Sequence, residues 1–254
     1  MTMKALVNGL VLAALALTSA QSDAAQTADE IIEKYLTAMG GRAALGKLTS
    51  RSTAGTMTLS TPAGDISGPI ETLNERPNKT RTLINLDLTS LGAGPMVMDQ
   101  RFDGTTGYAL DSLRGNRDIT GGQLETLKNG EFPNAFLSYK ERGVTVELSG
   151  KEKVGEREAY VLLFKPKSGP SSRHFIDAES YLPIKLIQTL DLPDLGAVEQ
   201  TMEFSDFREV DGIKLPFKLK GTSAVQTFTV TVTKVEHNKK IDGALFSKPV
   251  EKRP

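Results

Sequence analysis

The chain has 254 residues and carries 31 lysines and arginines against 31 aspartates and glutamates, so its formal net charge is zero. Without a basic surplus a nucleic-acid footprint is not expected, and without any cysteine there are no disulfides, no thiolate metal sites and no acylated-cysteine anchor of the bacterial lipoprotein kind. Tryptophan is absent and 39% of residues are hydrophobic, which favours a thin, sheet-like core over a thick helical bundle.

Residues 1–25 read as a secretory signal peptide. Lys4 supplies the charged start. Ala5 to Leu17 is apolar apart from Asn8 and Gly9, and Thr18 to Ala25 is small and polar, with Thr18/Ala20 and Ser22/Ala24 both fitting the cleavage preference. The apolar run is about 13 residues, short of the ~20 needed to cross a bilayer, and no later run approaches that length. The expectation is export to the periplasm, or secretion, with residues 26–254 forming one domain.

The mature part opens on a helix. Thr27-Ala-Asp-Glu30 matches a capping box, Ile31, Ile32, Tyr35, Leu36 and Met39 recur at helical spacing, and Gly40-Gly41 stops the helix. A second, shorter helix is expected over Arg42 to Leu48. Strand patterns dominate from there. They cover Gly55–Thr61, Lys79–Leu86, Val144–Leu148, Ala159–Phe164, Arg173–Asp177, Pro183–Leu190, Glu199–Phe207 and Val225–Val235, with Lys151–Glu158 read as a turn. Their frequency, and turn dipeptides such as Asp211-Gly212, argue for an antiparallel sheet, and their alternation for one packed face. Two segments break the pattern. Leu86–Asp99 reads as a flexible apolar loop with two methionines, and Ile119–Tyr139 as short helical pieces broken by Gly130 and Pro133.

The sequence carries few groups placed for chemistry. His174 and His237 have no partner at metal-ligand spacing and read as plain surface or edge positions. There is no G-x-S-x-G elbow and no phosphate-cradling glycine loop. Acid pairs such as Asp177/Glu179 and Asp191/Asp194 are no more than any chain of this composition contains, and Asn78-Lys79-Thr80 is a common sequon match. No catalytic residue, metal ligand or cofactor is expected. The sheet face could close over an ordinary core, or curl and leave a cavity whose rim methionines adapt to an apolar ligand.

Six pieces together carry a resemblance: YLTAMGG at Tyr35–Gly41, ERPNKTR at Glu75–Arg81, FDGTTGYALDS at Phe102–Ser112, FIDAESYLPIK at Phe175–Lys185, FSDFREVDGIKLPFKLKG at Phe204–Gly221, and VEHNKKIDGALFSKP at Val235–Pro249. In order and spacing they span nearly the whole mature chain. It resembles the outer-membrane lipoprotein-sorting proteins, the superfamily of the periplasmic carrier LolA and the receptor LolB. The resemblance implies a mainly β (α+β) fold: a strongly curved antiparallel half-barrel with helices plugging its concave face. It also implies a hydrophobic cavity that holds lipid or lipoprotein acyl chains for transfer across the envelope. No catalytic motif transfers with it.

Alternation within each strand then supplies the cavity candidates: Met57, Leu59, Ile84, Leu86, Tyr108, Leu162, Phe164, Phe175, Leu186, Phe228 and Val230. Met96, Met98, Leu127, Phe132 and Phe136 are lid candidates, and Leu86–Asp99 and Ile119–Tyr139 the gates. A one-residue register error flips a strand's whole set. The functional expectation is a monomeric acyl-chain carrier, with an inner- or outer-membrane protein as a further partner. The alternative is a sensor or interaction module on the same fold. A hydrolase finds no nucleophile–base pairing in the sequence.

Overall fold

The computed structural model describes residues 26–192 and 195–249. The expected signal segment lies outside the described residues. Helix α1 spans Ala28–Ala38 and has the expected capping box: Glu30 N donates to Thr27 Oγ1 at 3.3 Å and Thr27 N to Glu30 Oε2 at 2.8 Å. Its buried stripe is Ile31, Ile32, Tyr35 and Leu36. Gly41 N closes the helix onto Leu36 O at 2.8 Å. Gly40, at φ +122°, is also a point of close approach, since a Cβ there would lie 2.3 Å from Gly212 O. Helix α2, Arg42–Gly46, follows directly.

Thirteen strands come next: β1 (Ser50–Thr61), β2 (Gly64–Glu75), β3 (Lys79–Asp87), β4 (Pro95–Phe102), β5 (Gly107–Asp111), β6 (Arg117–Ile119), and then, after helix α3 (Gly121–Asn129), β7 (Thr145–Val154), β8 (Arg157–Lys165), β9 (Ser172–Asp177), β10 (Pro183–Leu192), β11 (Gly196–Val210), β12 (Ile213–Ser223) and β13 (Thr227–His237). They form one antiparallel sheet in the order β6-β5-β4-β3-β2-β1-β13-β12-β11-β10-β9-β8-β7. The terminal strands β6 and β7 do not pair, so the sheet is open rather than a closed barrel.

The sheet is nonetheless strongly curled. Helix α3 reaches both β4 and β10, which are far apart in strand order. Gln123 Nε2 donates to Gln100 Oε1 on β4 at 3.3 Å, and Gly122 N donates to Asp191 Oδ2 on β10 at 3.2 Å. A single short helix spans these two strands only if the sheet wraps around it. Accumulated strand twist produces such wrapping, and irregular register at Ala54/Gly55, Leu148/Lys151 and Pro183/Lys185 adds bends.

The helices lie on the concave side. There α1, α2 and the segment 131–144 pack on the strands near the β7 end, burying Ile32, Leu36, Leu45, Phe136, Leu162 and Ile176 in one cluster. A second cluster, with Met57, Ile66, Ile84, Leu86 and Leu88, lies toward the other end. On the convex face a small cluster holds Ala159, Val161, Phe175 and Ile184.

Several local expectations are corrected. Leu86–Asp99 is not a loop: β3 runs to Asp87, a 3₁₀ turn covers Thr89–Leu91, and Met96 and Met98 sit on β4 opposite Leu86 and Ile84. Lys151–Glu158 is mostly strand, with the turn confined to 155–156. Neither histidine is a plain surface residue. His237 is 8% exposed and bonds Asp211, and His174 packs edge-on to Phe136 with ring centres 5.0 Å apart.

Candidate ligand cavity on the concave face

The concave face has a filled half and a hollow half. In the filled half Phe136 is the hub. Its ring meets those of Tyr35, Tyr139, Phe164 and His174 at 5.0–6.5 Å, all near edge-to-face. Burial there shifts two groups. The Tyr35 phenol is pushed up to about 12 by loss of water, against the opposing pull of its bond from Asn134 Nδ2 at 2.7 Å. The His174 imidazole is pulled down to about 4 by burial.

In the hollow half β1, β3, β4 and β5 face α3 across a cavity of about 450 Å³. Its wall is apolar: Met57 and Leu59 come from β1, Ile84 and Leu86 from β3, Met96 and Met98 from β4, and Ala109 from β5. Leu127 on α3 faces them, with Leu88, Leu113, Leu190 and Val225 adding to the surface. The rim is polar. Asp111 Oδ1 accepts from the amides of Leu113 and Arg114, both at 3.0 Å, and Arg117 Nη1 lies 3.5 Å from Asp111 Oδ2. The size, the apolar wall and the few polar rim groups are those of a small-molecule site. The wall carries no nucleophile–base pair, and no group of three metal-ligating side chains occurs among the described residues.

Among the residues singled out from the sequence, Met57, Leu59, Ile84, Leu86, Met96, Met98 and Leu127 surround this cavity. Phe228 and Val230 pair with Leu59 and Met57 across β13–β1 and pack on the same apolar cluster. Phe132, Phe136, Leu162 and Phe164 are in the filled half. Leu186 borders a separate chamber of about 150 Å³. Tyr108 is one residue out of phase with Ala109, and its ring lies 4.5 Å from the Lys248 ammonium. Phe175 is on the convex face between the Lys185 and Arg173 side chains. Sequence reading missed Ala109 on β5, Leu190 on β10, Gln123 on α3 and Gln226 in the β12–β13 turn, because each comes from a different element and only the fold brings them together.

Two further chambers, of about 320 and 250 Å³, continue along the concave face and share Arg51, Glu131 and Pro133 as a common border. Burial pulls the Arg51 guanidinium down to about 10.

No protein-family model matches the chain, and no curated protein matches its sequence. Solved structures do share its fold. A LolA superfamily protein from Nitrosomonas europaea is 12% identical, with a TM-score of 0.55, and the match covers 88% of this chain and 99% of that one. A DUF1329 family protein from Desulfovibrio piger is also 12% identical at a TM-score of 0.55, over 86% and 96% of the two chains. A domain assigned to the outer membrane lipoprotein-sorting proteins, from Vibrio parahaemolyticus, is 14% identical at a TM-score of 0.52, over 85% and 94%. The lipoprotein-sorting resemblance read from the sequence is thus met at the level of fold. No helix among the described residues is long and apolar enough to cross a membrane.

Proposed function

We propose that the chain is an exported, non-enzymatic carrier that holds an acyl chain of a lipid or lipoprotein in the cavity beneath α3. One observation carries the reading: an open curved sheet leaves about 450 Å³ lined by Met57, Leu59, Ile84, Leu86, Met96 and Met98 instead of filling it. A soluble protein that needed only a core would close such a space, since interiors pack without voids of this size. Two observations support the assignment of compartment and cargo class. One is the signal-like residues 1–25. The other is the fold shared with proteins described as LolA superfamily and lipoprotein-sorting.

The physics of such a carrier needs no charged chemistry. Each buried methylene is worth roughly 0.8 kcal/mol, so ten to fifteen carbons give about 8–12 kcal/mol before ordering costs. Cargo held that way leaves only into another apolar site, so delivery calls for a membrane or a membrane-bound receptor. Met57, Leu59, Ile84, Leu86, Met96 and Met98 are the proposed contact set, with α3 as the lid.

The test is a titration with the apolar fluorophore N-phenyl-1-naphthylamine, followed by displacement with dodecanoic acid. Saturable uptake by the folded protein, reversed by the fatty acid at near one-to-one stoichiometry, supports the carrier. No uptake by folded protein sinks it and leaves a fold without a ligand.

A further inference from the structure

The concave face changes character along its strands. On β1 the residues facing inward run from Leu59 and Met57, at the apolar cavity, to Arg51, at the polar chambers. On β3 they run from Leu86 and Ile84 to Thr80. Six residues of strand separate Met57 from Arg51 and Leu86 from Thr80, roughly 20 Å at 3.3 Å per residue. Thr126 and Leu127 of α3 border both the apolar cavity and the 320 Å³ polar chamber, so the two adjoin under one helix.

Arg51 is half-buried on the wall of the polar chambers. Its Nε donates to His237 Nε2 at 3.1 Å. Because that arginine nitrogen only donates, His237 Nε2 must be the unprotonated one, and Nδ1–H then donates to Asp211 Oδ2 at 3.0 Å. The relay aims the guanidinium without neutralising it at close range. Phe132 covers one face of the fork at 5.2 Å.

No carboxylate pairs with Arg51 among the described residues, and its two Nη groups carry no hydrogen bond. Glu131, the acid that borders both chambers with Arg51, is committed elsewhere, as is Glu75, and Asp211 is bonded to His237. Glu131 is bonded to Arg142 at 2.9 Å and to Ser138, and Glu75 to Lys79 at 2.7 Å. A partly desolvated charge with no partner gains from an ion of opposite sign. A planar fork with free donors, opening on a chamber that also presents Asn74, Asn78 and Thr80, matches an oxyanion in shape and charge.

We propose that the free Nη groups of Arg51 receive the anionic head, a carboxylate or phosphate, of the amphiphile whose tail occupies the apolar cavity. This rests on the carrier reading and narrows its cargo to anionic amphiphiles. The head would displace chamber water and make two charge-assisted bonds to Arg51, and α3 would lie across the junction of head and tail.

The test compares dodecanoate, dodecanol and inorganic phosphate by calorimetric titration of the mature protein and of Arg51→Gln. The expected result is dodecanoate binding about tenfold or more tighter than dodecanol to the parent, with the preference falling to within about twofold in Arg51→Gln while dodecanol affinity is unchanged. Arg51→Lys, which keeps charge but not the fork, should retain an intermediate preference. Equal affinity of the parent for dodecanoate and dodecanol overturns the head site and leaves the carrier standing. If phosphate binds the parent through Arg51 but neither twelve-carbon compound does, the site takes a free oxyanion, and both the amphiphile and the carrier reading fail.

Discussion

The backbone amide of Gly122 donates to Asp191 Oδ2 at 3.2 Å, so the start of α3 is held by a carboxylate on a strand far across the sheet. The bond does two things: it satisfies a free amide of the helix N-terminus and places negative charge at the positive end of the helix dipole.

Asp191 is exposed, so replacing it with alanine should cost only about 1 kcal/mol of global stability. Its effect should fall on the start of α3, because Asn129 Nδ2 donating to Ser168 O at 2.7 Å and Ser168 Oγ to Glu125 Oε2 at 2.6 Å hold the far end, while Gln123–Gln100 ties the helix to the opposite wall. Hydrogen exchange should show amides of residues 121–129 opening faster in Asp191→Ala while the β1 and β12 amides stay protected. Stopped-flow release of a bound apolar fluorophore should also accelerate.

Filling the cavity should separate binding from folding. Ala109 is 2% exposed and its side chain faces the hollow half. Ala109→Leu extends into space rather than into packed atoms, so the usual overpacking cost of about 1–3 kcal/mol should be largely absent. Fluorophore uptake should fall severalfold, with the urea midpoint unchanged or higher.

The filled half should behave in the opposite way. Phe136 is 2% exposed and meets four rings, so Phe136→Ala should lose about 3–5 kcal/mol. Met96, half-buried on the cavity wall, should lose far less on truncation to alanine. Equal losses for the two in denaturant titrations would mean that the two halves are not distinct.

Acid should weaken the fold through His174. Burial pulls its imidazole from 6.5 down to about 4 in the folded protein, so below pH 6.5 the unfolded chain takes up a proton that the folded one refuses. The stability is complete above that pH and is lost as pH falls toward 4, by a few kcal/mol at most. His237 is depressed in the same direction, by burial against the pull of Asp211, so part of the slope remains without His174. His174→Phe, which keeps a ring beside Phe136, should flatten the urea-midpoint profile between these pH values. An unchanged slope would assign the titration to other groups.

Much of the cavity wall was legible because β1 and β3 alternate cleanly, which put Met57, Leu59, Ile84 and Leu86 on one face without knowledge of the partner strands. The strands that escaped notice carry residues strands usually avoid: Gly64, Gly68 and Pro69 in β2, Pro95 in β4 and Pro216 in β12. Gly68 is there for space, since a Cβ would lie 2.0 Å from Asn85 O. Phe175 and Tyr108 show the other difficulty. In β9 and β5 apolar residues occupy both faces, so alternation cannot say which is concave. Arg51, Asn74 and Thr80 meet only through strand pairing, and three isolated polar residues give no local signal that they share a chamber.

Occupancy of the hollow half by an acyl chain is read most directly by native mass spectrometry of the protein purified without detergent from the cells that express it. An occupied cavity gives a stoichiometric adduct of lipid mass that is released on denaturation and diminished in Ala109→Leu. A clean apo mass that persists after incubation with phospholipid and lipopeptide would contradict it.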